Sequence, residues 1–390
     1  MKRIYLDYAA TTPVDKRVAR AMAPYFGCLP AGRQEKFGNT MSLHSFGQDA
    51  KIALEQSRAK LAETINAKPN EIIFTSSATE SNNLALKGAA FAKKSGHIII
   101  SAIEHHCVLE SAKWLEKQGW KVTKIPVDKF GNVEPKDIEN AILPETILIS
   151  IIHASNEIGI IQNIREIGRI CREKKVCFHT DASQSFGKIP IDVKKDNIDL
   201  LTASSHKIYG PKGAGLLYIR EGIELVPLLH GGGQENGFRS STVNVPAIVG
   251  FAKAAEIYQK EAKKENQKLI KLRDKTIKEL LKMKGAHLNG DPKNRLPNNI
   301  NVRFDFIEGE SLVMQLDMAG IACSTGSACS SSMLEPSHVL LAIGLRPEQA
   351  HGSLRISLGR FTTEKDINYL LKILPGIVNK IRKISPYGKK

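Results

Sequence analysis

The chain has 390 residues, of which 42% are hydrophobic and 25% charged, which is the composition of a soluble globular protein of about two domains. No apolar run approaches the roughly 18 residues that a membrane span requires, and the first residues lack the apolar core of a secretory signal, so we expect a cytoplasmic protein without membrane contact. The formal net charge of +16 has two interpretations: a solvated basic helix face, or a surface that attracts an acidic protein or RNA. Because the sequence contains no nucleic-acid-binding motif, direct nucleic-acid binding is not expected.

The first predicted elements are a short strand at 4–8 and helices at 15–25 and 46–65. Short apolar runs then alternate with helical patterns. The predicted strands lie at 72–74, 97–101, 122–125, 147–152, 176–179, 200–203 and 215–219, and the helices between them at 79–94, 107–118 and 164–174. Alternation of this kind predicts a mostly parallel sheet covered by helices on both faces.

The remaining elements change in character after a long helix predicted at 246–283. Strands at 299–304 and 353–357 and helices at 311–319, 337–343 and 364–384 form an α+β pattern. The fold class that we predict is therefore α/β, with a large domain at 14–255. A smaller α+β domain combines residues 1–13 with 256–390.

A lysine stands in a polar turn directly after the strand predicted at 200–203. Lys207 would lie at a strand end, where open α/β sheets bind ligands. Asp181 follows the preceding strand, and an aspartate there can cap a helix or pair with a protonated ring nitrogen. Because the two residues are separated by one helix-and-strand excursion, we expect them at the same sheet edge.

Two further patterns follow strands of the predicted sheet. Ser77 and Glu80 form a capping box at the start of a helix, which is either an ordinary cap or a phosphate site. His105 and His106 are adjacent in the chain and point apart, and no Glu or Cys stands at zinc-like spacing, so no metal site is expected. We interpret one histidine as stacking on a planar cofactor and moving protons.

A run of small polar residues at 323–332 contains Cys323 and Cys329. The run predicts a mobile loop with an exposed thiol, although a serine-rich linker with incidental cysteines is also open. Downstream, Arg355 lies in an apolar strand, a setting suited to bidentate capture of a carboxylate.

Taken together, these motifs resemble the cysteine desulfurases of the iron–sulfur cluster assembly and nitrogen-fixation type. That family consists of pyridoxal 5'-phosphate (PLP) enzymes of fold type I within the class V aminotransferases. The resemblance covers essentially the whole chain. The matching stretches are YLDYAATTP at 5–13, SATESNN at 77–83, EH at 104–105, NEIG at 156–159, DASQ at 181–184, SSHKIYGPKG at 204–213, RSST at 239–242, GSAC at 326–329 and RISLGR at 355–360.

The resemblance implies a role for each matching residue. Lys207 would hold PLP as a Schiff base, Asp181 would pair with the pyridine nitrogen, Gln184 would contact the ring hydroxyl, and His105 would stack on the ring. The implied phosphate ligands are Ala78, Thr79, Ser204 and His206, with Thr242 supplied by a second subunit. Asn156 would contact cofactor and substrate, and Arg355 would bind the substrate carboxylate. Cys329, on a mobile loop at about 323–335, would be the nucleophile.

The implied activity converts L-cysteine to L-alanine and leaves the sulfur on Cys329 as a persulfide. The protein would be a homodimer that delivers sulfur to an iron–sulfur scaffold or another acceptor, for cluster assembly and for tRNA thiolation. The alternatives are a selenocysteine lyase, an ordinary aminotransferase, and a sulfur-carrier or RNA-binding protein with a degenerate site. The sequence departs from the family pattern at 38–42, GNTMS, and the segment at 28–36 resembles an insertion.

Overall fold

The computed structural model describes residues 3–27, 35–326 and 335–385. The strands are β1 (Ile4–Tyr5), β2 (Ile72–Thr75), β3 (His97–Ser101), β4 (Lys121–Ile125), β5 (Thr146–Ser150), β6 (Cys177–Asp181), β7 (Leu200–Ser204), β8 (Gly215–Ile219), β9 (Ala286–Leu288), β10 (Asn299–Phe304), β11 (Ile321–Ala322) and β12 (Ser353–Ser357). The α-helices are α1 (Lys16–Met22), α2 (Ser45–Thr64), α3 (Ala78–Phe91), α4 (His106–Lys117), α5 (Pro135–Ala141), α6 (Ile164–Lys174), α7 (Val245–Leu280), α8 (Gly309–Met318), α9 (His338–Ala342), α10 (Pro347–His351) and α11 (Glu364–Ile384).

A seven-stranded sheet in the order β2-β8-β7-β6-β5-β3-β4 forms the centre of the fold. Strand β8 runs antiparallel to β7 and β2, and the other neighbours pair in parallel. The inner strands β3, β7 and β8 are buried along their whole length, because helices cover both faces of the sheet. The predicted mostly parallel α/β fold is confirmed.

The second region contains a three-stranded antiparallel sheet in the order β12-β10-β9. The N-terminal strand β1 pairs in parallel with β11, so the beginning of the chain joins this C-terminal region. Its apolar core includes Leu6, Leu312, Leu354 and Leu370. These contacts support our assignment of residues 1–13 to the small domain, which stays a prediction.

Helix α7 contributes to the cores of both regions. Its first half supplies Phe251 and Tyr258 to the core beneath the central sheet, and its second half supplies Leu269 and Leu280 to the other core. The boundary proposed at residue 255 therefore lies inside a continuous helix of 36 residues. It marks the change from one core to the other rather than a linker.

Four short elements were not predicted from the sequence: α5, α10, β9 and β11. Both helices start with proline at their first position and have no more than seven residues. Isolated helices of that length are unstable, so their hydrophobic pattern is too short to recognise. No helix in the described ranges is long and apolar enough to cross a lipid bilayer.

Candidate active site

The candidate site lies at the carboxyl ends of β6 and β7, which are parallel neighbours. Asp181 is the last residue of β6, and Lys207 ends a single 3₁₀ turn, Ser205–Lys207, that directly follows β7. Parallel strands bring their carboxyl ends to one edge of a sheet. The structure thus places both residues at the edge where the sequence predicts them.

The side chain of Lys207 is held by the N-terminal segment of the chain. Its Nζ donates to the carbonyl oxygens of Ala9 at 2.6 Å and Ala10 at 2.8 Å. This segment is fixed in turn because Thr12 donates from its hydroxyl and its backbone N–H to the carbonyl of His206. An amine anchored in this way has a defined position at the sheet edge.

The carboxylate of Asp181 is buried and oriented by two donors. Asn82 Nδ2 donates to Oδ2 at 2.7 Å, and the backbone N–H of Ser183 donates to Oδ1 at 2.8 Å. The same Asn82 amide lies 3.0 Å from the sulfur of Cys107. The carboxylate is therefore preset in one direction before any ligand binds.

His105 occupies the N-cap position of α4. Its Nδ1 accepts a hydrogen bond from the backbone N–H of Cys107 at 3.2 Å, so a neutral ring carries its proton on Nε2. Burial lowers the pKa of His105, although Asp181 opposes this shift. The ring is thus a neutral imidazole at physiological pH.

Glu104 is completely buried beside His105. Its Oε1 accepts from Ser101 Oγ at 2.6 Å and from the N–H of Ile152 at 2.7 Å. Burial raises the pKa of this carboxyl to about 8, and the charge of Asp181 acts in the same direction. Glu104 is therefore protonated at neutral pH.

The N-terminus of α3 faces the same end of the sheet. Ser77 caps the helix, since its hydroxyl accepts from the N–H of Glu80 at 3.2 Å, and Ala78 and Thr79 are the first helical residues. Glu80 is held in turn by Arg239 at 2.8 Å. The unpaired N–H groups of a first turn favour an anion such as phosphate.

Two other predicted phosphate ligands lie at the carboxyl end of β7. Ser204 is buried as the last residue of that strand, and His206 Nδ1 lies 3.1 Å from the hydroxyl of Thr11. Burial, assisted by the charge of Lys207, lowers the pKa of His206 to about 4. His206 is thus a neutral hydrogen-bonding group at physiological pH.

Arg355 enters the site from β12 in the second region. Only 2% of its surface is exposed, its Nη2 pairs with Asp7 Oδ1 at 2.9 Å, and its Nη1 donates to the carbonyl of Asn156 at 3.3 Å. Its Nε is buried without a hydrogen-bond partner among the described residues. A guanidinium that retains an unpaired donor can still accept an anionic ligand.

Two predicted site residues are not joined to this cluster. Thr242 lies in an exposed segment before α7, and its proposed reach into a second subunit stays a prediction. Cys329 and most of the predicted loop lie outside the described residues. The described flanks end on the second region, where Ser324 pairs with Arg355 and the N–H of Gly326 donates to Ser353 Oγ at 3.2 Å.

The sequence predicts no role for several groups that form this site. These are the backbone carbonyls of Ala9 and Ala10 and the side chains of Asn82 and Glu104. Asn82 and Glu104 fall inside the matching stretches. Asn82 lies about one helical turn after Thr79, and Glu104 directly precedes His105, so their positions could have indicated a role. The carbonyls gave no such indication, because any residue supplies a carbonyl.

The residue types at this sheet edge fit PLP. Lys207 supplies an amine for its aldehyde, Asp181 supplies an oriented carboxylate for its ring nitrogen, and the α3 N-terminus supplies N–H donors for its phosphate. The unpaired Nε of Arg355 additionally fits a substrate carboxylate. These are the groups that a PLP site requires of its protein.

Comparison with known proteins gives concordant matches. The family model of the class V aminotransferases matches residues 4–370. The cysteine desulfurase IscS of Methanosarcina thermophila is 53% identical over 100% of this chain and 95% of its own length, and IscS 1 of Archaeoglobus fulgidus is 53% identical over 98% of both. Among solved structures, a NifS-like protein matches with a TM-score of 0.90 at 40% identity, covering 97% of this chain and all of its own. SspA in complex with cysteine matches with a TM-score of 0.81 at 40% identity, covering 92% and 100%.

Proposed function

Because this chain belongs to the class V aminotransferase family and its full-length relatives are cysteine desulfurases, we propose that it is a PLP-dependent cysteine desulfurase. It converts L-cysteine to L-alanine and passes the sulfur to Cys329 as a persulfide. The observation that carries the proposal is that one N-terminal segment contacts both Lys207, which lies at the same sheet edge as Asp181, and Arg355 of the second region, through Ala9 and Ala10 on one side and Asp7 on the other. A carboxylate-binding arginine beside a lysine and an oriented aspartate suits an amino-acid substrate.

The cofactor would be held by residues from three strand ends. Lys207 would bind it covalently, Asp181 and Gln184 would bind the polar groups of the ring, and His105 would stack on the ring. Ala78, Thr79, Ser204 and His206 would bind the phosphate, with Thr242 from the second subunit of a homodimer. When bound, PLP supplies an electron sink that makes the substrate Cα–H acidic and its carbon–sulfur bond labile.

The protein residues orient the substrate and move its protons. Arg355 binds the substrate carboxylate, and Asp7 keeps the guanidinium in place through the 2.9 Å ion pair. Asn156 borders the same position through its carbonyl contact with Arg355. Lys207 would remove the Cα proton with its amine, and the neutral His105 could exchange a proton through Nε2.

Cys329 completes the reaction as the nucleophile. Its thiolate attacks the substrate sulfur, the carbon–sulfur bond breaks, and a sulfur–sulfur bond forms. The electron pair stays with the substrate carbon, which takes a proton and becomes the methyl group of alanine. The persulfide then passes its outer sulfur to an iron–sulfur scaffold or another acceptor protein, which we expect in the cytoplasm.

The proposal is tested with the purified holoenzyme and two substitutions. Cys329→Ala should abolish release of alanine and sulfide while leaving the yellow absorbance of the bound cofactor. The wild type should show a cofactor absorbance that borohydride removes, and Lys207→Ala should lack that absorbance. Unchanged alanine formation by Cys329→Ala would exclude the nucleophile role, and a colourless wild type would favour a degenerate sulfur carrier.

A selenocysteine lyase would share this site. Steady-state rates with L-cysteine and L-selenocysteine distinguish the two activities, and we expect turnover of both. Exclusion of cysteine by a factor of a hundred or more would assign the enzyme to selenocysteine instead.

A further inference from the structure

Lys188 is a buried lysine for which the proposed reaction has no use. It follows Gln184 by four residues, and only 5% of its surface is exposed. Its Nζ makes one hydrogen bond within the described part of the chain, to Gln184 Oε1 at 3.3 Å. Burial of an amine with a single acceptor costs free energy, so the position calls for an explanation beyond packing.

A short series of contacts connects this amine with Lys207. The Gln184 amide that accepts from Lys188 donates through Nε2 to the carbonyl of Ala9 at 2.9 Å. The same carbonyl accepts from Lys207 Nζ at 2.6 Å. The two lysines thus hold opposite ends of one polar chain, Lys188–Gln184–Ala9–Lys207.

We propose that Lys188 is a positioning residue of the cofactor site, which orients the Gln184 amide and sets the protonation of Lys207 through its own positive charge. The inference rests on the proposed function, because it gives Lys207 the role of the cofactor lysine. Since an ammonium can only donate, it requires Oε1 of Gln184 to face it and leaves Nε2 directed to the site.

The electrostatic part follows from repulsion between the two amines. Burial, together with the charge of Lys207, lowers the pKa of Lys188 to about 7, while Glu265 on α7 opposes the shift. Lys188 acts in the same sense on His206, the neighbour of Lys207. Repulsion is mutual, so a protonated Lys188 also makes the nitrogen of Lys207 more acidic.

Glu265 does not neutralise Lys188. Its carboxylate accepts from Tyr258 at 3.1 Å and from Arg360 Nε at 2.8 Å, and no ion pair joins it to Lys188 in the described structure. Arg360 is shared between Glu265 and Asp15, so Glu265 still attracts Lys188 without pairing with it. The repulsion from Lys207 is the larger of these two effects on the charge of Lys188.

The experiment is a pH titration of the absorbance of the bound cofactor in the holoenzyme, without substrate. Lys188→Met keeps the length of the side chain and removes the charge. We expect the midpoint at which the nitrogen of Lys207 loses its proton to rise by about one pH unit. We also expect a broad wild-type transition, as two coupled groups require, and a narrower one-proton transition in the variant.

Lys194→Met is the matched control, since Lys194 lies six residues after Lys188 but is exposed. Solvent screens its charge, so its titration should follow the wild type. Lys188→Gln, a second uncharged variant that keeps an N–H donor, should shift the midpoint as Lys188→Met does. Thermal unfolding should show both Lys188 variants to be folded, because uncharged replacements of a buried charge are commonly tolerated.

The outcomes separate the two proposals. Wild-type protein that lacks the borohydride-sensitive absorbance would contradict the proposed function and this inference with it. Wild-type protein with that absorbance, together with Lys188 variants that titrate at the wild-type midpoint, would overturn the role of Lys188 alone. A shift of the same size in Lys194→Met would also overturn it, because the effect would then not be specific to the buried amine.

Discussion

At the scale of single residues, the site depends on side chains that protein atoms hold in place. Arg355 has two of its donor positions engaged by Asp7 and Asn156, and its Nε is buried without a hydrogen-bond partner among the described residues. His105 uses Nδ1 to cap α4, which fixes the position of its ring. Both side chains are thereby oriented before a ligand binds.

Arg355→Lys tests the role of the planar guanidinium. The variant keeps the charge opposite Asp7 but loses the forked donors, so we expect the KM for L-cysteine to rise about tenfold or more with a smaller change in kcat. Steady-state kinetics measure this. Arg303→Lys, on the neighbouring strand β10 where the arginine pairs with Asn289 at 2.6 Å, is the control and should retain the wild-type KM. Equal KM values for all three proteins would refute carboxylate binding by Arg355.

At the scale of elements, two strand ends and one helix start define the site. Helix α3 lies close to β8, because the first residue of β8 is Gly215. A Cβ at this position would lie 2.6 Å from the carbonyl carbon of Ser77 and 2.7 Å from Thr75 Oγ1. The glycine therefore permits the close approach that places the helix N-terminus at the sheet edge.

Gly215→Ala should weaken cofactor binding. The added methyl group must displace the backbone of Ser77, and with it the N–H groups of Ala78 and Thr79. We expect the Kd for PLP to rise about tenfold, a loss near 1.4 kcal/mol, measured by absorbance titration of cofactor-depleted protein. Gly376→Ala in α11 has no atom within 4 Å of the new Cβ and should leave the Kd unchanged. Wild-type affinity in Gly215→Ala would show that α3 does not bind the phosphate.

How far the sequence predicts this molecule varies among the elements. Strand β3 was predicted with its observed bounds, because a parallel strand that is buried on both faces is a continuous apolar run. Lys207 and Asp181 were predicted at one edge because strand order alone brings them there. The pair between Asp7 and Arg355 joins residues 348 positions apart and depends on β1 lying beside β11. No local pattern encodes such a contact, and the same is true of the carbonyls that hold Lys207.

At the scale of the whole molecule, the site is formed by segments from both regions of the chain. The N-terminal segment begins with β1, which pairs with β11, contacts Lys207 through Ala9 and Ala10, and leads into α1. Strand β12 of the three-stranded sheet contributes Arg355. Helix α7 connects the two cores without interruption. The relative position of the two regions therefore determines whether the lysine and the arginine reach the same substrate.

The buried titratable groups make opposite contributions to stability as the pH falls. Burial raises the pKa of Glu104 from 4.5 to about 8 and that of Glu157 from 4.5 to about 7. Their contribution to the free energy of unfolding is fully present below pH 4.5 and is lost as the pH rises from 4.5 through these folded values. His153 behaves in the opposite way. Burial lowers its pKa to about 4, and its Nδ1 has no hydrogen-bond partner in the described ranges.

For His153 the folded pKa lies below the unfolded value of 6.5, so between pH 6.5 and about 4 the unfolded chain takes up a proton that the folded chain excludes. The free energy of unfolding should fall by about 3 kcal/mol over this window from His153 alone. His153→Gln should remove that part of the loss, which denaturant unfolding at pH 7 and pH 4 measures as a smaller difference than in the wild type. The exposed His230→Gln is the control and should behave as the wild type does. Because the buried glutamates act in the opposite direction and are present in all three proteins, the difference between variants isolates the histidine. Identical pH dependence in His153→Gln and the wild type would show that folding does not lower the pKa of His153.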